Sequence, residues 1–300
     1  MPRLTVIMPA YNAASTIARA VRSTLFDLPR DAELHVLDDA STDDTLLVLQ
    51  TLAEVDRRVI VSSAQDNRGV APTLNALLES AHSEFVARMD ADDVVIPGRF
   101  RRAVGALRTG SADVVFGGVV HLGPGRRLRP AAQLPISPEA FPSFLLLQNP
   151  VTHSTMVARS SVLQDQGGYR RVPSEDYDLW LRLVAGGHRL RRLAQPGVVY
   201  RHHDAQITAT PDWQAAAVDN PLTARAHAEL SEHVLGARHE VYGVLRSTML
   251  NDEERSLFTT FLNALKDNTD ALNAIEKMDL LRLCNKVAGA RLQRREIHAV

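Results

Sequence analysis

The chain has one cysteine, Cys284, in 300 residues, so an intrachain disulfide framework is excluded. The residues around it read as a helix, where a lone thiol serves as a small buried apolar group. No run approaches the roughly 18 consecutive apolar residues of a membrane span. The opening MPRLTVIMPAYNA has an apolar stretch too short for a signal peptide, and Pro9 breaks it. Basic charge is not in excess: 34 Lys plus Arg against 35 Asp plus Glu gives a net charge of −1, which offers no electrostatic footprint for nucleic acid. Two nucleotide-binding signatures are also missing. No G-x-G-x-x-G follows the first apolar run and no G-x-x-x-x-G-K-[ST] occurs anywhere, which argues against a dinucleotide dehydrogenase and a P-loop enzyme. These absences point to a cytoplasmic protein and leave peripheral contact with the inner face of a membrane open.

What is present is an ordinary globular balance of 45% hydrophobic and 23% charged residues. Four short apolar runs, LTVIM (4–8), ELHVL (33–37), RVIVSS (58–63) and EFVARM (84–89), alternate with amphipathic stretches. Strands alternating with helices predict βαβ units, hence an α/β fold with a mostly parallel sheet flanked by helices. DVVFGGVVHL (113–122) and THSTMVA (152–158) read as further strands, and GPGRRLRP as an exposed loop. PEAFPSFLLLQN (138–149) and DYDLWLRLVAGG (176–187) read as helices, and HRLRRLAQPGVVYRHH as strand, turn and strand. Trp180 falls on the apolar face of its helix and is expected in the core.

From about Trp213 the β-branched runs vanish and helical patterns continue to the end. NDEERSLFTTFLNALK opens with an Asn cap and Glu254 three residues later, and a second helix runs from about Asp270 to Ile297. The expected organisation is an α/β domain over 1–210 and an all-helical extension over 211–300.

A suggestive set of residues collects where the four predicted strands end: Pro9, Tyr11 and Asn12; Asp38 and Asp39; Asp66, Asn67 and Gly69; Asp90, Asp92 and Asp93. Ligands of open parallel sheets bind beyond the carboxyl ends of the strands. Each of these residues alone fits a turn or a helix cap; four sets in succession point to one site. The aspartates of ARMDADD would repel one another unless something positive sat among them. Oxygen-rich sites suit Mg²⁺ or Mn²⁺ held by one or two carboxylates and substrate phosphates.

The blocks VIMPAYNA, VLDDASTDDT, DNRGVAPTLNALLESAHSEFVARMDADD, GGYRRVPSEDYDLWLRL and VYRHHDAQIT, in this order across about residues 3 to 208, resemble the signature blocks of the family-two glycosyltransferases. That resemblance implies a GT-A fold and inverting transfer from a nucleotide-sugar donor. It places Pro9, Ala10, Tyr11 and Asp39 at the nucleoside, with Asn67, Gly69 and Asn75 near it. It makes Asp90 and Asp92, flanking Ala91, a D-x-D pair, with Asp90 toward the nucleotide and Asp92 on the metal (Mn²⁺ or Mg²⁺). It makes Asp176, beside Glu175, the general base, and His203 a further metal ligand. His153 also recurs near the sugar in such enzymes.

The chemistry suits these residue types: a metal stabilises the leaving diphosphate and a carboxylate takes the acceptor's proton. Asp176 also fits a helix cap, and of the adjacent His202 and His203 at most one would reach a metal. Leu74 stands where many relatives carry Arg or Lys, which weakens the case for uracil. A UDP-sugar is still the expected donor. The acceptor is expected to be a hydroxyl on a glycan, a lipid-linked sugar, a peptide or a small molecule. Alternatives are a non-catalytic sugar-nucleotide-binding scaffold and a metal-dependent nucleotidyltransferase, although PAYNAA is not the Gly-rich loop the latter needs. Arg126, Arg127 and Arg129 read as a solvated loop or as contacts for an anionic acceptor. The helical extension offers a homodimer interface or an acceptor platform. Lys286, Arg291, Arg294 and Arg295 on it read as a solvated face or a contact for an anionic membrane.

Overall fold

The computed structural model describes residues 3–123, 127–130, 133–201, 211–218, 220–247 and 249–292. The first half follows the alternation of the sequence: β1 (Leu4–Ala10), α1 (Ile17–Asp27), β2 (Ala32–Asp38), α2 (Thr45–Val55), β3 (Val59–Ser63), α3 (Val70–Ser80) and β4 (Phe85–Arg88). The chain continues through β5 (Val94–Val95), α4 (Arg99–Arg108), β6 (Val114–Leu122), β7 (Leu128–Pro130), α5 (Phe141–Leu145), β8 (Val157–Arg159), α6 (Ser160–Asp165), α7 (Glu175–Ala185) and β9 (Leu190–Arg201). Four helices follow: α8 (Pro211–Val218), α9 (Pro221–Leu235), α10 (Asp252–Asp267) and α11 (Ala274–Leu292).

The sheet runs β3-β2-β1-β4-β8-β6-β9-β5, with β7 on β6. β3, β2, β1 and β4 are mutually parallel. β8 then enters antiparallel between β4 and β6, and β6 pairs β9 in parallel, so an α/β sheet with a parallel half is flanked by helices as expected. The chain reverses direction of travel at β1, between β2 and β4, which is the topological switch where α/β sheets open a crevice. β4 stops at Arg88 opposite Ile7, so Pro9 lies where β1 has only β2 beside it, and its missing N–H breaks no central ladder. Val6, Met8, Val36, Phe85, Ala87 and Phe100 are among the fully buried side chains of this core.

Three expectations are corrected. Residues 152–158 are not one strand: a 3-10 turn over His153–Thr155 precedes β8. GPGRRLRP is not wholly loop, because Leu128–Pro130 pair antiparallel with β6; Arg126 lies outside the described residues. HRLRRLAQPGVV is one strand, not two around a turn. Its Pro196-Gly197 sits in a register shift against Gly117 and Gly118 of β6. A Cβ on Gly117 would stand 3.1 Å from the Gly197 nitrogen, so glycine here lets the two backbones meet.

Contacts divide the chain into two compact units. One takes the described residues of 1–135, 151–171 and 188–206; the other takes those of 136–150, 172–187 and 207–300. The helical unit therefore includes α5 and α7 as well as the expected C-terminal helices. Within it Trp180, Phe258, Phe261, Leu265 and Cys284 are fully buried or nearly so. Asn251 and Glu254 form the capping box that starts α10. Among the described residues no helix is long and apolar enough to cross a membrane.

Candidate active site

In the sheet-containing unit, the loops after β1 and β2 are stitched together. Asn12 N donates to Ser41 Oγ at 2.9 Å, Thr42 N donates to Asn12 Oδ1 at 2.8 Å, and Asp39 N donates to the Ala10 carbonyl at 2.8 Å. Asn12 and Ala40 both adopt positive φ, 48° and 59°. For a non-glycine residue this conformation costs on the order of 1–2 kcal/mol, and such strain gathers at functional loops. Tyr11 is half-exposed at this edge.

Asp39 is almost fully buried, and its carboxylate accepts from Arg68 N at 3.0 Å and Gly69 N at 2.9 Å. It thus draws the loop carrying Asn67 and Gly69 onto the end of β2. Asn67 Oδ1 also accepts from Gly69 N. Neighbouring Asp38 is buried with Oδ2 accepting from Ser41 N, while its Oδ1 has no partner among the described residues. The residues expected from three strand ends are therefore brought together, with Asp39 as their link.

The fourth strand end supplies the acidic cluster. Asp90, Asp92 and Asp93 each present an oxygen within 4.8 Å of the others. Part of the counter-charge is internal. Arg88, buried at the end of β4, ion-pairs with Asp90. Arg99 lies beneath, fully buried, with Nη2 donating to the Arg88 carbonyl. Burial brings its pKa down to about 10, against the opposing pull of Asp93 and Asp27. Asp93 is fully buried; it accepts from Ser154 Oγ at 2.6 Å and from Arg201 N at 3.0 Å. Burial, and then the charges of Asp90 and Asp92, hold its carboxyl well above the usual range. The cluster thus divides into Asp90 matched by an arginine, Asp93 built into the core, and Asp92 on the partly exposed side. Three oxygens of this kind fit a hard divalent cation. His203 lies outside the described residues. Sequence reasoning did not single out Arg88, Arg99 or Ser154, although Arg88 stands two residues before Asp90.

Asn75, expected near the nucleoside, also has a structural task. Its Oδ1 accepts from Tyr169 N and its Nδ2 donates to the Tyr169 carbonyl, both at 2.8 Å. This bidentate staple fixes the turn of Gly167-Gly168 to α3. Gly168 has φ +67°, and a Cβ there would lie 2.4 Å from Asn75 Oδ1. Tyr169 in turn shares a 2.8 Å hydrogen bond with His153 Nε2. Burial, and secondarily Arg88, hold the His153 pKa well below its ordinary value, so this ring is neutral.

Asp176 and Glu175 belong to the helical unit, in the first turn of α7. The preceding Ser174 is left-handed, with φ 59°. Asp176 is partly exposed; its Oδ1 accepts from Tyr177 N at 2.7 Å and its Oδ2 from Asn149 Nδ2 at 2.8 Å. Tyr177 anchors the helix. Its buried hydroxyl donates to the Leu145 carbonyl at 2.6 Å, and its ring stacks on Tyr242 at 6.4 Å. The Arg246 guanidinium lies 3.8 Å from the Tyr242 ring centre and 5.2 Å from that of Tyr177. Burial pushes the Tyr177 pKa up to about 12. Tyr242 and Arg246 escaped sequence reasoning because nothing local ties them to α7.

Comparison with known proteins decides the family. Residues 5–166 match the model of "Glycosyl transferase family 2". The chain belongs to that family. EpsE of Bacillus subtilis (strain 168) is 34% identical over 193 residues, 63% of this chain and 69% of that protein. WfaP of Escherichia coli, named as a UDP-Glc:alpha-D-GlcNAc-diphosphoundecaprenol beta-1,3-glucosyltransferase, is 25% identical over 215 residues, 70% of this chain and 81% of WfaP. Among solved structures, S. aureus TarS 1-349 in complex with UDP-GlcNAc superimposes with a TM-score of 0.60 over 97% of this chain and 87% of that one, at 20% identity. The mannosyltransferase PcManGT from Pyrobaculum calidifontis, in complex with GDP-Man and Mn2+, gives a TM-score of 0.53 over 96% and 80%, at 21% identity. The structural likenesses establish the shared GT-A fold. Family membership makes this chain a glycosyltransferase.

Proposed function

We propose that the chain transfers a hexosyl or N-acetylhexosaminyl group from a UDP-sugar to a hydroxyl of a glycan or lipid-linked sugar, with inversion. The observation that carries this is the acidic cluster at the end of β4, beside the switch point of the sheet and backed by Arg88. UDP as the nucleotide is supported by the names of WfaP and of the TarS complex, and a lipid-linked acceptor by WfaP. GDP is the competing nucleotide, from PcManGT.

In this reading, Pro9, Tyr11 and the Asp39-tethered loop of Asn67 and Gly69 bind and orient the nucleoside. Asp90, fixed by Arg88, orients the ribose and phosphates, and Asp92 holds a divalent cation, Mn²⁺ or Mg²⁺. That cation, when bound, lends Lewis-acid stabilisation to the departing diphosphate. Asp176 accepts the proton of the acceptor hydroxyl as its oxygen attacks the anomeric carbon. The bond from that carbon to the diphosphate oxygen breaks, and the electron pair leaves with UDP. The reaction takes place at the cytoplasmic face of a membrane, where a lipid-linked acceptor is presented.

The test is Asp176→Asn, with UDP-glucose and UDP-GlcNAc as donors and a GlcNAc-diphospholipid acceptor. Donor binding should persist while UDP release falls by on the order of a thousandfold or more, in line with general-base loss plus poor positioning. Turnover equal to wild type would remove Asp176 from the mechanism.

A further inference from the structure

We propose that Asn149 is a positioning residue for the reaction, holding Asp176 in the orientation and charge state a base needs. The inference rests on the reading of Asp176 as the base. Asn149 Nδ2 lies 2.8 Å from Asp176 Oδ2. An ionised carboxylate only accepts, so the amide must present its N–H₂ to it. With Tyr177 N on Oδ1, both carboxylate oxygens accept from an N–H, which fixes the plane of the group.

The segment carrying Asn149 is itself immobilised. Leu145 O accepts from the Tyr177 hydroxyl at 2.6 Å, and Leu146 O accepts from the buried His227 Nε2 at 2.9 Å. Gln148 N closes a turn on the Phe144 carbonyl at 3.2 Å. Asn149 thus stands on a short stretch fixed from two helices, α7 and α9, and reaches from it to the first turn of α7. A donor held on so rigid a support orients its partner with little loss of side-chain freedom on reaction.

A hydrogen bond to the ionised form also favours that form. Removing the donor should move the titration of Asp176 to higher pH. Replacing Asn149 with its near-isostere aspartate should move it further, because the new neighbour is a like charge.

The experiment follows the carboxyl carbon of Asp176 by NMR in protein labelled with [4-¹³C]aspartate, its signal identified by loss in Asp176→Asn. Asn149→Ala and Asn149→Asp are compared with wild type over pH, and UDP release from UDP-glucose is measured on the same samples. We expect an upward shift in both variants, larger for Asn149→Asp. We also expect kcat to fall by about tenfold to a hundredfold, the size of a hydrogen bond to a charged group, with KM for UDP-glucose within about twofold of wild type. A titration of Asp176 unmoved in both variants would overturn the proposal. Should Asp176→Asn release UDP at the wild-type rate while the NMR shifts appear, the base assignment fails and Asn149 loses its catalytic part with it. If Asn149→Ala does not fold, the near-isosteric Asn149→Asp carries the test alone.

Discussion

Arg88 and Asp90 form an ion pair at the end of β4, with the arginine side chain only 5% exposed and the aspartate 28%. Three carboxylates can share this loop because one of them has an arginine of its own. Arg88→Met would leave Asp90, Asp92 and Asp93 without that charge. Breaking a largely buried pair costs about 3–5 kcal/mol, so a clear drop in the urea midpoint is expected. Mn²⁺ should recover more stability in the variant than in wild type, since a bound cation replaces lost positive charge. Equal Mn²⁺ effects on the two melting temperatures would count against a shared electrostatic site.

Gly168 and Asn75 make a second coupled pair. Gly168→Ala combines a positive φ with a Cβ 2.4 Å from Asn75 Oδ1, and a loss of about 2 kcal/mol or more is expected. Asn75→Ala removes the clashing atom along with the staple. In a double-mutant cycle by chemical denaturation, the combined variant should be more stable than the sum of the singles by about 1 kcal/mol. Strict additivity would mean that the two residues do not meet.

The helical unit should be acid-sensitive through His227. Its Nε2 donates to the Leu146 carbonyl, its Nδ1 is buried without a partner among the described residues, and burial brings its pKa down to about 4. In the unfolded chain the value returns to about 6.5. The unfolded state then binds the extra proton between these values. The histidine's contribution is complete above pH 6.5 and lost progressively as pH falls toward 4. Integrated over that window it amounts to about 3 kcal/mol. His227→Gln should flatten the fall in stability between pH 6.5 and 4.5; a slope unchanged from wild type would assign the sensitivity elsewhere. Buried His153 has the same sign and adds to the slope in both proteins.

The clustering of the strand-end residues was legible in the sequence, because each parallel strand is an apolar run that must end and the residues just after it gather at one edge of the sheet. Asp39, Asn67, Gly69, Asp90 and Asp92 were singled out that way, and their proposed roles come from the family resemblance. The partners that make them work were not. Ser154 reaches Asp93 across 61 residues, and Tyr169 reaches Asn75 across 94. Such contacts leave no local period, so the staple between Asn75 and Tyr169 could not be read from the sequence. The Pro-Gly of β9 read as a turn for the same reason: its role depends on the Gly-Gly of β6 almost 80 residues earlier. Likewise, a boundary near 210 follows composition, whereas α5 and α7 pack with the later helices through Tyr177, Leu145 and His227.

The central claim is that the aspartates of ARMDADD hold a cation against a nucleoside diphosphate. Calorimetric titration of UDP, GDP and dTDP, each with and without Mn²⁺, into wild type and Asp92→Asn tests it most directly. The account predicts that UDP binds wild type in a Mn²⁺-dependent manner, more tightly than the other two, and that Asp92→Asn loses the Mn²⁺-dependent part. UDP binding that is indifferent to Mn²⁺ in both proteins, or absent with metal present, would contradict it.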